Sequence, residues 1–433
     1  MSDQPFLIAA YDRLGPVLAG PAIRCLALAR ELARLGQVDV IFDGPAPEES
    51  IEHVRFIERS TIGPLPGFFA AYRAALAPPL VALTLPELLD SDLPLIVDLF
   101  DPVVWENLEL YRSSPASERD FQHERHLAAI LAALVRGDFF LAAGRRQVDL
   151  FLGALMALNR VNPSTWVPGA GPEQLVGLVP FGIPDHAPPS ADQLPLPDEY
   201  KTSGPMVVWG GGMWDWLRPE IVVRAWPEVL KDFPQARLAF PGTEHPNPHV
   251  PRPGSVDRVR KLSKELGVAE TLIFGKWLPR DEYLGLLAHA GCCVSAHGPG
   301  LETRYAVRTR FLDAIWMGLP LVVSDGDEYS GYIAENGLGV VVPSSDPSGF
   351  GKAIIHVLQS GRAAYGESFI RARAELTWSR TAAPLVAWAS SPRMTHGEGA
   401  SFFSDSVGRP SPRNRPGDLD AVMRRLVSKL KRT

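Results

Sequence analysis

Residues 297–325 read HGPGLETRYAVRTRFLDAIWMGLPLVVSD, and the way this stretch changes its period decides the fold. Three arginines (Arg304, Arg308, Arg310) lead into an apolar helical pattern, then Gly318-Leu319-Pro320, then the apolar run Leu321-Val322-Val323. Gly-x-Pro is a sound helix stop, and the run behind it is long enough for one buried strand. The arginines are thus expected near a helix start, where free backbone N–H groups and the positive dipole end favour an anion. A guanidinium adds a fixed fork suited to phosphate oxygens. A solvated helix start with surface arginines fits the same residues equally well.

The same helix–stop–strand grammar recurs upstream. Residues 5–11 (PFLIAAY) read as a buried strand, 12–22 as a Gly/Pro-rich loop, 22–35 as an amphipathic helix closed by Gly36, and 38–42 as the next strand. This is one unit of a doubly wound sheet. Gly15 and Gly20 in the loop do not make a G-x-G-x-x-G, so tight turning explains them better than a phosphate does. Residues 94–100 (PLIVDLF) form another strand, interrupted by Asp98 and followed at its C-terminal edge by Asp101. Ligands of open α/β sheets sit at that edge. A carboxylate there suits an acceptor hydroxyl or a base, and Asp101-Pro102 suits a helix cap just as well. His123 and His126 share a helix, but no third ligand has suitable spacing for a metal. Gly144-Arg145-Arg146 marks a second strand-to-helix junction with anion character.

Residues 185–204 are rich in Pro and polar residues and read as a linker. A second series of alternating strands and helices starts at Pro205. Its strands cover 206–211, 236–240, 271–274, 292–296, 321–323 and 339–342. The fold class expected is α/β, with two Rossmann-like doubly wound domains and a C-terminal tail. Residues 391–417 are poor in apolar groups and read as a disordered tether. Residues 418–433 form a basic amphipathic pattern, with Leu419, Val422, Met423, Leu426 and Leu430 on one face. That pattern suits an anionic membrane surface or a partner, or packing on its own protein.

Composition sets the bounds. The chain has 433 residues, 46% of them hydrophobic and 21% charged, with a net charge of −6. Nothing in this balance is a nucleic-acid footprint. Three cysteines, two of them adjacent (Cys292 and Cys293), point to reduced structural thiols and a cytoplasmic setting. The N-terminus lacks signal-peptide features, and no apolar run is long enough to span a bilayer.

Residues 313–320, Asp-Ala-Ile-Trp-Met-Gly-Leu-Pro, resemble the E-A-x-x-x-G-x-P signature of retaining GT-B glycosyltransferases of glycosyltransferase family 4, with Asp313 standing for the glutamate. The second glutamate of that group falls on Tyr305, and Glu302 lies out of register. Gly20-Pro21-Ala22-Ile23-Arg24 resembles the group's first loop, residues 178–184 resemble the segment that ends its first domain, and residues 376–388 resemble the helix that closes the fold.

The resemblance implies an acceptor domain at 1–184, the linker at 185–204 and a nucleotide-sugar domain at 205–390, facing each other across a cleft. It implies hexosyl transfer from a nucleotide-sugar donor to an envelope glycan or a lipid-linked acceptor. The expected course is retention, without a bound metal or other cofactor, in the cytoplasm or at the inner face of the membrane. The departing diphosphate needs cationic groups and helix N-termini. The group's Arg/Lys pair after the first strand of its second domain is reduced here to Arg218. Arg304, Arg308 and Arg310 are therefore expected to compensate, with Gly20, Gly211 and Gly212 giving close backbone approach. Lys276 and Trp277 fall where relatives hold the base, and Trp214 beside Trp216 suggests a sugar platform. Catalytic roles are expected for Asp101, Arg308 and Asp313, and acceptor contacts for Arg24 and Asp98. A degenerate sugar- or nucleotide-binding protein, or a scaffold recruited through the basic tail, is the rival expectation.

Overall fold

Leu321–Ser324 is a fully buried strand paired in parallel on both sides, as a near-continuous apolar run in a helix-covered sheet requires. The computed structural model describes residues 4–15, 18–62, 67–163, 165–244 and 253–395. These fall into two compact units, 4–15 with 19–180 and 381–395, and 18 with 181–380.

The first unit holds a parallel sheet of β1 (Phe6–Ala9), β2 (Val38–Phe42), β3 (Val54–Glu58), β4 (Ala74–Ala77), β5 (Leu95–Asp98), β6 (Phe139–Ala142) and β7 (Val176–Leu178), in the order β3-β2-β1-β4-β5-β6-β7. Its helices include α1 (Gly20–Ala33), α2 (Val103–Leu110), α3 (Ala116–Arg136) and α4 (Arg145–Ala157). The apolar faces of these elements close one core around Leu7, Val97, Phe140 and Phe151.

The second unit holds β8 (Met206–Trp209), β9 (Arg237–Phe240), β10 (Leu272–Phe274), β11 (Cys292–Ser295), β12 (Leu321–Ser324) and β13 (Gly339–Val342), in the order β10-β9-β8-β11-β12-β13. Helices α5 (Pro219–Asp232), α6 (Ser255–Glu265), α7 (Arg280–His289), α8 (Leu301–Tyr305), α9 (Arg310–Met317), α10 (Glu328–Glu335) and α11 (Pro347–Ser360) surround it. Trp209, Trp226, Phe240 and Phe350 fill its core. In both sheets the chain winds outward and then restarts beside its first strand. The strand order therefore reverses between β1 and β4, and again between β8 and β11. Crevices at the C-terminal ends of strands, at such reversals, are where open α/β sheets take ligands.

Three expectations change. The arginine-rich stretch is two helices. Arg304 sits in the last turn of α8, Arg308 lies in the break, and Arg310 opens α9. The residues expected to form a linker are packed onto the second unit. A Cβ on Gly285 of α7 would lie 2.0 Å from Pro195 O, and Tyr200 is 2% exposed. The 205–390 bound of the second domain moves, because the closing helix Ala383–Ala389 belongs to the first unit, as its resemblance to a helix returning to the first domain implies; Trp388 stacks there on Phe139 of β6 at 5.3 Å and 8°. The chain beyond it is still held at Thr395, whose Oγ1 donates to Asp138 O at 3.1 Å. Residues 396–433, with most of the expected tether and all of the expected basic helix, lie outside the described residues. No helix of the described residues is long and apolar enough to cross a membrane.

Candidate functional site

The reversal between β8 and β11 brings four strand ends together in the second unit. Gly210-Gly211-Gly212 follows β8, and its middle residue is left-handed, with φ +71°. A side chain there would be strained, so glycine is required. Gly242, after β9, lies against it, since a Cβ on Gly242 would sit 3.2 Å from Gly211 O. Trp277, after β10, comes in from the other side, its ring 3.2 Å from a Cβ built on Gly212. Thr243 Oγ1 donates to Gly275 O at 2.8 Å and ties the β9 and β10 loops together. After β11, Gly298 lies beside Arg218, whose Nε is 3.2 Å from a Cβ built there.

Arg310 organises the centre of this group. Its Nη1 donates to Gly210 O at 2.5 Å and to Gly212 O at 3.0 Å. Burial, with Arg308 nearby, pulls its pKa down to about 10, so it stays cationic at neutral pH. Lys276 and Arg218 are exposed at the rim, and Arg304 is exposed over the Tyr305 ring.

Arg308 does not reach outward as expected. It is 5% exposed and forms a fork-to-fork pair with Glu302, both bonds 2.7 Å. Its charge is committed to a carboxylate six residues away. This separation is not an i,i+3 or i,i+4 helix pair, so no helical rule reveals it. Behind the pair, His297 is fully buried, with Nε2 3.0 Å from Asp325 O and 3.2 Å from Asp327 Oδ2. Burial first, then Arg308, lowers its pKa to about 3, so the ring is neutral.

Asp313 is likewise engaged, its two oxygens accepting from Arg280 at 2.6 and 2.7 Å. Trp214 stacks on Trp216 at 5.2 Å and 2°, and both pack on the core of the second unit. One face of Trp214 is thereby covered by protein. Arg280, Glu302, His297 and Tyr200 are the structural contributors that the sequence reading did not select. Asp313 and Arg280 are 33 residues apart, and only the folded chain brings them together.

In the first unit, Arg24 and Asp98 meet each other. Arg24, buried in α1, donates to Asp98 at 2.7 and 2.8 Å and lies over the Phe100 ring. The pair fastens α1 to the end of β5, and neither side chain is laid open as an acceptor contact requires. Asp101 is half-buried two residues ahead of α2, whose N-cap is Pro102. Gly20 opens α1. Gly144 is the N-cap of α4, where the amide of Gln147, in the first turn, takes over the contacts by bonding Ala143 N and Phe100 O at 2.8 and 2.9 Å. His126 accepts from the Asn107 amide at 2.5 Å. Among the described residues no group of three or more His, Cys, Asp or Glu side chains is placed to hold a metal ion.

Residues 204–360 match the family described as Glycosyl transferases group 1. The chain is 28% identical over 261 residues to a D-inositol 3-phosphate glycosyltransferase from Acidothermus cellulolyticus, a match covering 55% of this chain. It spans only about half, 54%, of that relative. Among solved structures the fold is similar to WaaG, a glycosyltransferase of lipopolysaccharide biosynthesis (TM-score 0.58, 16% identity, 89% of this chain and 99% of that one). It is also similar to Anabaena HepE in complex with UDP and glucose (TM-score 0.52, 14% identity, 93% and 99%). A third is an E. coli trehalose-6-phosphate protein bound with UDP-2-fluoro glucose (TM-score 0.55, 11% identity, 90% and 100%). At these identities the structural likeness speaks for the two-sheet α/β GT-B fold.

Proposed function

We propose that the chain moves a hexose from a nucleotide-sugar donor to a hydroxyl of a glycan or lipid-linked acceptor, a reading supported by the match of residues 204–360 to the family described as Glycosyl transferases group 1. The observation that carries this reading is the convergence of the β8, β9, β10 and β11 loops on Gly210–Gly212, Trp277 and Arg310 at the strand-order reversal.

In this reading Trp277 and Lys276 hold the base, and the glycine loop takes the diphosphate with Arg218 and Arg304 at its rim. In the reaction the acceptor oxygen bonds the anomeric carbon, the bond from that carbon to the phosphate oxygen breaks, and the nucleoside diphosphate departs. The acceptor proton passes to a base, for which Asp101 of the first unit is our assignment. Charge on the leaving group is met by backbone donors and cations without a bound metal, and the anomer is retained. Two named neighbours were solved with UDP or a UDP-sugar, which favours a uridine nucleotide as the first donor to test. We place the protein in the cytoplasm. Recruitment to anionic membrane through residues 418–433 completes the reading.

A second reading, binding without turnover, is favoured by one feature. Asp313 is tied to Arg280 and Tyr305 stands where the related group has glutamate, so the acidic pair is incomplete. Release of nucleoside diphosphate from UDP-, GDP- and dTDP-sugars in the presence of pooled phosphorylated and lipid-linked acceptors separates the two. Acceptor-dependent release, with the product anomer read by NMR, supports transfer. Tight donor binding with no release under any acceptor supports the binding protein.

A further inference from the structure

The carbonyls of Gly210 and Gly212 accept from a single nitrogen of Arg310, and Gly212 O also accepts from Trp209 Nε1 at 3.3 Å. In a trans peptide the N–H points opposite to the C=O. The N–H groups of Gly211 and Met213 therefore point away from the guanidinium. Among the described residues, neither these two groups nor the N–H of Gly212 meets an acceptor. Gly212 and Met213 are buried. Buried backbone donors are nearly always paired in a folded protein, so the successive N–H groups of Gly212 and Met213 imply a partner from outside the chain, with the half-buried Gly211 N–H beside them. Successive N–H groups around a left-handed residue form a concavity that takes an anion. The loop is also closed to side chains, since a Cβ on Gly210 would lie 3.1 Å from Cys293 Sγ.

We propose that Arg310 is a positioning residue: it turns the Gly210 and Gly212 carbonyls inward so that the backbone donors of Gly211–Met213 bind the phosphate oxygens of a nucleoside diphosphate, without itself touching them. This rests on the nucleotide-sugar reading of the second unit and deepens it. It also accounts for how the chain manages with one cation, Arg218, in the segment after β8 where its resemblance leads one to expect two. The fixed amides do the gripping, and the half-buried charge behind them sets their direction.

The test is calorimetric titration of the full chain with pyrophosphate, UDP, GDP, uridine and guanosine. Wild type is compared with Arg310→Met, Arg310→Lys and Gly211→Ala, each checked for folding by circular dichroism. We expect wild type to bind pyrophosphate and one nucleoside diphosphate. Arg310→Met and Gly211→Ala each weaken both at least tenfold and leave the matching nucleoside unchanged. Arg310→Lys, which keeps donors for both carbonyls, recovers most of the loss. Gly211→Ala leaves the cation in place, so it decides the matter even where Arg310→Met fails to fold. Wild-type affinity in Gly211→Ala would mean that the loop does not hold the anion, and would overturn the proposal. So would a wild-type protein that binds neither pyrophosphate nor any nucleoside diphosphate. Pyrophosphate binding that depends on Arg310 and Gly211, with no nucleotide bound, would keep the anion-binding loop set by Arg310 but overturn the nucleoside diphosphate as its ligand, and the nucleotide-sugar reading with it.

Discussion

Asp313 and Arg280 meet fork to fork across 33 residues of sequence, at 2.6 and 2.7 Å. The Arg280 side chain is 39% exposed and that of Asp313 23%, so solvent screens the pair. Pairs of this kind contribute up to about 1 kcal/mol. Asp313→Ala and Arg280→Ala should each cost little stability, with a coupling of about 0.5–1 kcal/mol in the double-mutant cycle. Urea unfolding of the four proteins measures it, and a coupling above about 2 kcal/mol would show that the pair is shielded from water.

Glu302 and Arg308 present the opposite case, since both are nearly fully buried. Removing one partner strands a charge away from water and typically costs about 3–5 kcal/mol. Glu302→Leu alone and Arg308→Met alone should each lower stability by about that much, whereas the double substitution should recover most of the loss. Denaturant midpoints check it. Additive losses in the double variant would contradict the assignment.

Tyr200 and Gly275 define a steric limit. A Cβ on Gly275 would lie 1.8 Å from Tyr200 Oη but 3.1 Å from its Cζ, and the ring is too buried to swing aside. Gly275→Ala should therefore destabilise by about 1–3 kcal/mol through overpacking. Adding Tyr200→Phe, which deletes the offending atom, should restore most of it. Thermal melts of both variants decide the point, and no rescue would mean that the backbone itself demands glycine.

His297 gives stability a pH dependence. Its folded pKa is depressed from 6.5 to about 3, by burial first and then by Arg308. The unfolded chain therefore binds a proton below pH 6.5 that the folded chain refuses. The contribution is complete above that pH and declines as pH falls toward about 3, by up to about 1.4 kcal/mol per unit. His297→Gln should flatten this part of the profile. His126, lowered to about 4 chiefly by burial, keeps its own share in the first unit. Urea midpoints between pH 7.5 and 5 should converge for wild type and variant at the acid end. Parallel curves would count against the assignment.

Much of the architecture was legible because buried parallel strands leave unmistakable apolar runs. PLIVDLF, MVVWGG and LVVS announce β5, β8 and β12. The strands that escaped notice lack that mark. β3 is half-exposed at the sheet edge, and Ala74–Ala77 of β4 carries three alanines in four residues, which read as helix formers. The glycine loop after β8 and Trp277 after β10 could be placed at strand ends from the sequence. The partners of Arg24, Arg308 and Arg310 were not legible, because sequence shows a charge but not what it faces. Arg308 faces Glu302, Arg24 faces Asp98, and Arg310 faces two carbonyls about a hundred residues back.

The closing helix has a further consequence for how the chain comes to be folded. Trp388 covers Phe139, and Thr395 fastens to Asp138, so the packing against β6 of the first sheet is completed by residues made after the whole second unit. During synthesis the second unit has all of its own strands in hand before the first has its last piece. The usual N-terminal-first order of maturation is thereby inverted at its final step. A nascent chain halted near residue 380 would carry an unfinished first unit with an aromatic face bare to chaperones and proteases.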